Sequence, residues 1–371
     1  MQTASRSPIR RLPAASTPLI ALLIAIPAVV LMFGCASKPS AVRGGYDPSL
    51  DVPRSISARE YGYVRPATDI QVIGQRDRSV YGGRNSTDLW DRVRRGPRLK
   101  IPHHARIDKA MRSLKRNPAY LTDLAKRARP YLHMIVGELE RAGMPTELAL
   151  LPEVESRYNP RAVSPVSASG MWQFMPYTGT EMGLAQNHWY DGRNDILAST
   201  RGAIAYLTQL RDEFDGDWAL ALASYNAGPG RVRSAQRVNR ARGKPTDFWS
   251  LNLPNETELY VPKLLAIVDL VREPSRYGMQ MPAVANRPTL ELVEAREQIN
   301  LSQAAHKCGV PLRTLQDLNP GLKRGVTPRA GPHRLLVPLG TGHKLRRALA
   351  KAGKLAPPEV AGNSGARRGE S

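Results

Sequence analysis

The chain has 371 residues, 42% of them hydrophobic, and its 54 Lys and Arg against 32 Asp and Glu give a formal net charge of +22. That length suits two domains with tails, and the apolar content suffices for a core. A balance this basic points to an anionic partner, whether nucleic acid, an acidic membrane surface or a carboxylate-bearing polymer. The two cysteines and seven histidines show no metal-ligand spacing, so neither a metal nor another cofactor is expected.

At the N-terminus, Arg6, Arg10 and Arg11 precede an apolar run from Pro18 to Phe33. Positive residues followed by roughly 15 apolar ones read as a secretory signal, and the run is short beside the ~20 residues of a spanning helix. It ends at Gly34-Cys35, which resembles a bacterial lipoprotein cleavage site, although Met32 stands where Leu is usual and Phe33 is bulky for its place. Residues 1–34 are expected to be a signal peptide and Cys35 a lipidation site that tethers the chain to a bilayer; an uncleaved membrane anchor is the alternative. Either way the chain is exported, which argues against nucleic acid as partner. Residues 35–85, rich in Ser, Pro, Gly and Arg, read as a disordered tether.

From Trp90 to Arg129 the chain is basic, with fragments of helical spacing at Ile107, Met111, Leu114 and at Leu121, Leu124. Two readings stand, a solvated basic helix packed on the next domain and a dedicated binding patch. Leu132, Ile135, Val136 and Leu139 then recur at i, i+3, i+4, i+7, with Pro130 ahead and Gly143 as a stop. Pro145 opens a second helix that Pro152 should disturb, so the chain leaves regular helix near Glu155. A third helix runs from Asp195 to about 214, and a fourth from Trp218 to Ala227, closed by Gly228. A fifth spans 256–271 with Leu259, Leu264 and Ile267 on one face. Strand signals are weak, so this is a mainly α domain, expected over 86–285 with its catalytic core at about 130–272.

After a Pro-rich break at 274–288, residues 297–340 read as a helix, a turn, a second helix ending at Asn319-Pro320, and a short strand through Leu336-Val337-Pro338. Cys308 reads as a small buried apolar residue. Residues 341–371 read as a basic disordered tail after a short helix.

The densest cluster is Leu150-Leu151-Pro152-Glu153-Val154-Glu155-Ser156. A carboxylate at the end of an apolar helix is desolvated, which raises its pKa and keeps it protonated near neutral pH, as a general acid needs. Glu153 and Glu155, two apart, cannot share a helical face, so at most one enters a cleft. Taken alone, Glu155 reads as a surface group, as most Glu residues near helix ends are.

Context decides between these. Gly170-Met171-Trp172-Gln173, Tyr225-Asn226-Ala227-Gly228 and Glu256-Thr257 with Tyr260-Val261 follow Glu155-Ser156 in that order. The four motifs together resemble the lytic transglycosylase domain of the lysozyme superfamily, in its membrane-bound branch, over about residues 90–285. The resemblance implies a mainly α, lysozyme-like helical domain and assigns Glu155 as sole catalytic acid and base. It implies Ser156, Met171, Gln173, Tyr225, Asn226 and Tyr260 as substrate-binding residues. Trp172 reads as packing, and Asp191, Arg193 and Asp195 as a helix cap with a structural ion pair.

Ordinary glycosidases use two carboxylates, and no clear second one stands in this sequence. The implied substrate, the glycan strand of peptidoglycan, can supply the missing group. The 2-acetamido group of N-acetylmuramic acid assists departure of the leaving sugar, and the C6 hydroxyl then closes on C1. The implied product carries a 1,6-anhydro end. The 297–340 segment resembles a LysM module, a small βααβ unit that binds N-acetylglucosamine, but Gln298-Ile299-Asn300-Leu301 replaces its usual Gly-Asp-Thr start. A working glycan binder and a degenerate structural module are both open. The implied location is the periplasmic face of the outer membrane, as a monomeric lipoprotein. The competing functions are a hydrolytic muramidase and a catalytically dead peptidoglycan-binding lipoprotein.

Overall fold

Apolar spacing places most of the helices, and side-chain caps start some of them. The computed structural model describes residues 86–356, so the expected signal, Cys35, the tether and the end of the tail lie outside the described residues. The basic N-terminal stretch forms α1 (Leu89–Arg95), α2 (Ala105–Lys115) and α3 (Tyr120–Ala128). Asp88 and His104 cap the first two by accepting the N–H groups of Trp90 and Arg106. Ile107, Met111, Leu114, Leu121 and Leu124 are buried, while Lys109, Arg112, Lys115 and Arg116 stay in water. Basic helices packed on the domain are thus what this stretch forms.

α4 (Leu132–Arg141) stops at Gly143, where the Met144 N–H returns to the Leu139 carbonyl. A 3-10 turn, Thr146–Leu150, leads into α5 (Leu151–Glu155). Pro152 does not break a helix begun at Pro145. It sits in the first turn of α5, where a missing N–H costs nothing, and the chain leaves the helix at Ser156. α6 (Pro176–Glu181), α7 (Ile196–Glu213), α8 (Trp218–Ala227), α9 (Pro229–Ala241) and α10 (Asn255–Arg272) follow. Asp195 caps α7 through the Ala198 N–H, and Asp217 caps α8. α2 packs along α10. One expectation fails on α10: Leu259 is 49% exposed, because it lies about 140° around the helix from Leu264. Tyr260, at i−4 from Leu264 and i−7 from Ile267, takes the buried face instead.

The second part is a βααβ unit: β1 (Leu290–Glu294), α11 (Leu301–Cys308), α12 (Leu312–Leu318) and β2 (Arg334–Pro338), followed by α13 (Gly342–Lys351). The strands pair antiparallel, Leu290 opposite Pro338 and Glu294 opposite Arg334. β1 lies ahead of the expected start at 297, because five residues of Leu-Glu-Leu-Val-Glu give too short an alternation to read. α13 is a docked helix rather than loose tail. Leu345 is buried, and Glu291 accepts the Gly342 N–H at 2.6 Å and pairs with Arg346 at 2.8 Å. Cys308 is buried, as expected.

The two-stranded ribbon serves two cores. Side chains alternate along a strand, so Leu290, Leu292 and Leu336 pack with the large helical core, while Val293, Leu335 and Val337 pack with Ile299, Leu301, Leu315 and Leu345.

Candidate active site

α5 is seated by Leu150 and Leu151, both fully buried. Its two carboxylates diverge. Glu153 is buried and engaged by Arg127 of α3, with Nη2 2.6 Å from Oε1 and Nε 3.2 Å from Oε2. Glu155, half-buried, faces α10, where the Tyr260 hydroxyl donates to Oε1.

The turn after Glu155 is held against backbone preference. Arg157 and Tyr158 have φ of 54° and 59°, the left-handed region that side chains disfavour. Such residues persist where the surroundings over-determine them. Here the N–H groups of Ser156 and Tyr158 both donate to the Pro152 carbonyl, at 3.0 and 3.1 Å. The buried Tyr158 hydroxyl donates to the Ala149 carbonyl at 2.6 Å.

Burial drives the Glu155 carboxyl up to about 7. The Tyr260 hydrogen bond pulls it down, the exposed Glu256 raises it, and Lys263 lowers it. The Tyr225 and Tyr260 hydroxyls are raised well above their ordinary value, first by burial and then by the charge of Glu155. They are neutral donors across the physiological range.

Hydrogen bonds tie Ser156, Tyr225 and Asn226 to the segments around Glu155 in a circuit that runs partly along the chain. Ser156 donates its hydroxyl to the Met171 carbonyl at 2.8 Å and accepts the Asn159 N–H. The Tyr225 hydroxyl donates to the Trp172 carbonyl at 2.9 Å. Asn226 Oδ1 accepts from the Thr257 hydroxyl at 2.7 Å, and its Nδ2 donates to Glu256 at 3.4 Å. Thr257 and Tyr260 share α10, which closes the circuit at Glu155. Gln173, at φ 49°, donates Nε2 to the carbonyls of Gly170 (2.8 Å) and Ala162 (3.3 Å), bracing the 162–174 loop.

One residue departs from its expected role. Met171 is fully buried, so its side chain packs in the core and its backbone carbonyl is what reaches Ser156. Trp172 is buried as expected and donates Nε1 to the Thr200 hydroxyl. Asp191 pairs with Arg193 at 2.8 Å, and Arg193 also holds the carbonyls of Ser167 and Phe174. Gly170 has φ 85°, and a Cβ there would lie 1.9 Å from the Arg193 carbonyl oxygen, so only glycine fits. The sequence motifs assign no role to Glu256, Thr257 or Lys263. Glu256 and Thr257 belong to the fourth motif, but which of its side chains face Glu155 depends on the phase of α10. Among the described residues no group of three His, Cys, Asp or Glu could hold a metal ion.

Two family models match the chain: the Transglycosylase SLT domain over residues 134–248, and the Lytic transglycosylase MltD, LysM-like domain over residues 289–354. The chain is 40% identical over 263 residues to membrane-bound lytic murein transglycosylase D of Escherichia coli (strain K12). That match covers 71% of this chain and 58% of the relative, so the chain spans a little over half the length of that curated relative. A putative tributyltin chloride resistance protein of Alteromonas sp. (strain M-1) is 35% identical over 178 residues, 47% of this chain and 84% of the relative. Among solved structures, the lytic transglycosylase Slt of Pseudomonas aeruginosa matches at 24% identity and a TM-score of 0.34, covering 49% of this chain and 30% of that one.

Proposed function

Because the chain belongs to the lytic transglycosylases that carry a Transglycosylase SLT domain, we propose that it cleaves the β-1,4 bond between N-acetylmuramic acid and N-acetylglucosamine in peptidoglycan, without water. The observation that carries the reading is Glu155: a single carboxyl desolvated to about 7 and held on Oε1 by Tyr260. Glu155 first donates its proton to the glycosidic oxygen. The C1–O bond breaks as the 2-acetamido oxygen bonds to C1. The Glu155 carboxylate then takes the proton of the C6 hydroxyl, whose oxygen displaces the acetamido oxygen at C1. The product is a 1,6-anhydro end, and Glu155 is again protonated. No water is consumed and no second carboxylate is required. Ser156, Gln173, Tyr225, Asn226 and Tyr260 frame the sugar and hold it against that carboxyl, while Met171 supports the frame from beneath.

Glu155→Gln keeps the shape of the site and removes the proton donor. Turnover of purified sacculi is expected to fall by about 10²–10⁴-fold with strand binding retained; full activity in this variant would sink the assignment. Mass spectrometry of the products separates the nearest alternative, since 1,6-anhydro ends mark a transglycosylase and reducing ends a hydrolytic muramidase.

The word membrane-bound in the name of the E. coli relative supports a place in the cell envelope. The finer reading is a monomer anchored to the outer membrane, facing the periplasm, through an acylated Cys35. Metabolic labelling with a fatty acid should mark the wild type and not Cys35→Ser.

A further inference from the structure

α9 and the turn after it carry an array of like charges. Arg231, Arg233, Arg237, Arg240, Arg242 and Lys244 fall within 14 residues, and no Asp or Glu occurs from 218 to 246. α9 turns Val232 and Asn239 inward, with Asn239 Nδ2 holding the carbonyls of Pro245 at 2.7 Å and Ser250 at 2.8 Å. All six cations are therefore exposed. Arg233 pairs with Glu213 at 2.8 Å; among the described residues no carboxylate pairs with the other five.

Ordinary helix electrostatics does not account for this array. Cations in the last turn complement the helix dipole, which suits Arg240. Arg231 lies in the first turn, where the dipole opposes it, and no acid offsets it there. Unneutralised like charges repel one another and attract anions. The array also begins close in sequence to the candidate site. Gly228 ends α8 and begins α9, two residues after Asn226, which is tied to Glu256 and Thr257. From Arg231 to Arg240 the helix advances about 14 Å and turns about half-way round, so the cations wrap the side of α9 opposite the buried Val232 and Asn239.

We propose that the exposed side of α9 binds the carboxylates of the peptide stems while the glycan strand lies against Glu155. The inference rests on peptidoglycan being the substrate. Charge complementarity selects the occupant: the N-acetylated sugars within a stem-bearing strand carry no charge, whereas the stems carry several carboxylates each. A stem of four residues reaches about 14 Å from its sugar, which matches the length of the array.

The test compares solubilised strands bearing native stems with strands whose stem carboxyls have been converted to amides. The enzymes are the wild type and the triple variant Arg231→Gln, Arg237→Gln, Arg240→Gln, all three positions outside the hydrogen-bonded circuit of the cleft. The wild type should favour the acidic strands about tenfold in kcat/KM at low ionic strength, through KM, and lose that preference as salt rises. The triple variant should treat both substrates alike and match the wild type on amidated strands. A wild type without preference, or a variant that keeps it, overturns the proposal. So does a variant that loses binding to phosphatidylglycerol vesicles yet keeps the stem preference, since the array would then serve a membrane. If the wild type cleaves neither substrate, the catalytic reading has failed. Co-sedimentation with native and amidated sacculi then still tests the array, which requires tighter binding to native sacculi and loss of that difference in the variant.

Discussion

Glu155 is set by side chains that lie far from it in sequence. Tyr260, 105 residues away, stabilises its charged form, and Glu256 destabilises it. Their removal should therefore act in opposite directions. The proton donor is lost as pH rises through about 7, so kcat/KM should fall about tenfold per unit above that point. Tyr260→Phe removes a hydrogen bond to the charged form, so this alkaline limb should move up, by roughly half a unit to one unit, with a lower plateau. Glu256→Gln removes a like charge, so the limb should move down. Shifts of the same sign in both variants would contradict the assignment of the limb to Glu155. Stability follows with its own sign. The folded value lies above the ordinary 4.5, so neutral Glu155 stabilises the fold fully at pH below 4.5, and this contribution is lost progressively as pH rises from there through about 7. Glu155→Gln should accordingly melt higher than the wild type at pH 8, a difference that thermal scans at pH 4 would not show. The motifs drew attention to Glu155 and Tyr260, but the contacts that set the carboxyl were not legible. Helical spacing says that Glu153 and Glu155 diverge. Which of them turns toward the cleft depends on Arg127, on another helix and 26 residues earlier.

At the scale of elements, helices with a sustained apolar stretch and a side-chain cap were readable, as α7 and α8 are after Asp195 and Asp217. α9 was not. It opens on Gly228-Pro229-Gly230, which reads as a break, and its few apolar residues sit among arginines. Buried ion pairs were equally invisible, because they join distant segments. Glu147, 1% exposed, accepts from the Leu99 N–H at 2.8 Å and from Arg272 Nη2 at 2.6 Å, and Arg272 also donates to the Leu99 carbonyl at 2.7 Å. These contacts fasten the segment between α1 and α2 to the end of α10. Arg272→Met fills the space but leaves Glu147 buried and unpaired, which should cost about 3–5 kcal/mol in denaturant unfolding. The double variant Glu147→Gln, Arg272→Met should recover a large part of that loss. No recovery would mean that the arginine acts through packing alone.

At the scale of residues 86–356, the ribbon of β1 and β2 decides how independent the βααβ unit is. One face of that ribbon belongs to the helical core and the other to the module's own core. The module is also fastened to the loops at 161 and 191–195 of the helical domain. The Asp191 N–H donates to the Gly321 carbonyl at 2.9 Å, Arg334 lies 3.5 Å from Asp195, and Arg161 donates to the Gln316 carbonyl at 2.6 Å. Parting the module from the helical core would expose Leu290, Leu292 and Leu336 and the core surface that they cover, so the two parts should unfold as one unit. The sequence supplies a probe for each. All five tryptophans precede residue 250, and Cys308 is buried in the module core. In a Cys35→Ser background, tryptophan fluorescence and the reactivity of the Cys308 thiol should follow the same urea transition. Gly321→Val should separate them. A Cβ at 321 would lie 2.9 Å from the Asp191 carbonyl oxygen and 3.1 Å from the Asp195 nitrogen. Backbone at that distance yields only by moving apart, a strain of about 1–3 kcal/mol. Cys308 should then become reactive at lower urea than the tryptophans report. If the thiol already reacts early in the parent protein, the module is an independent body, and the ribbon does not couple the two cores.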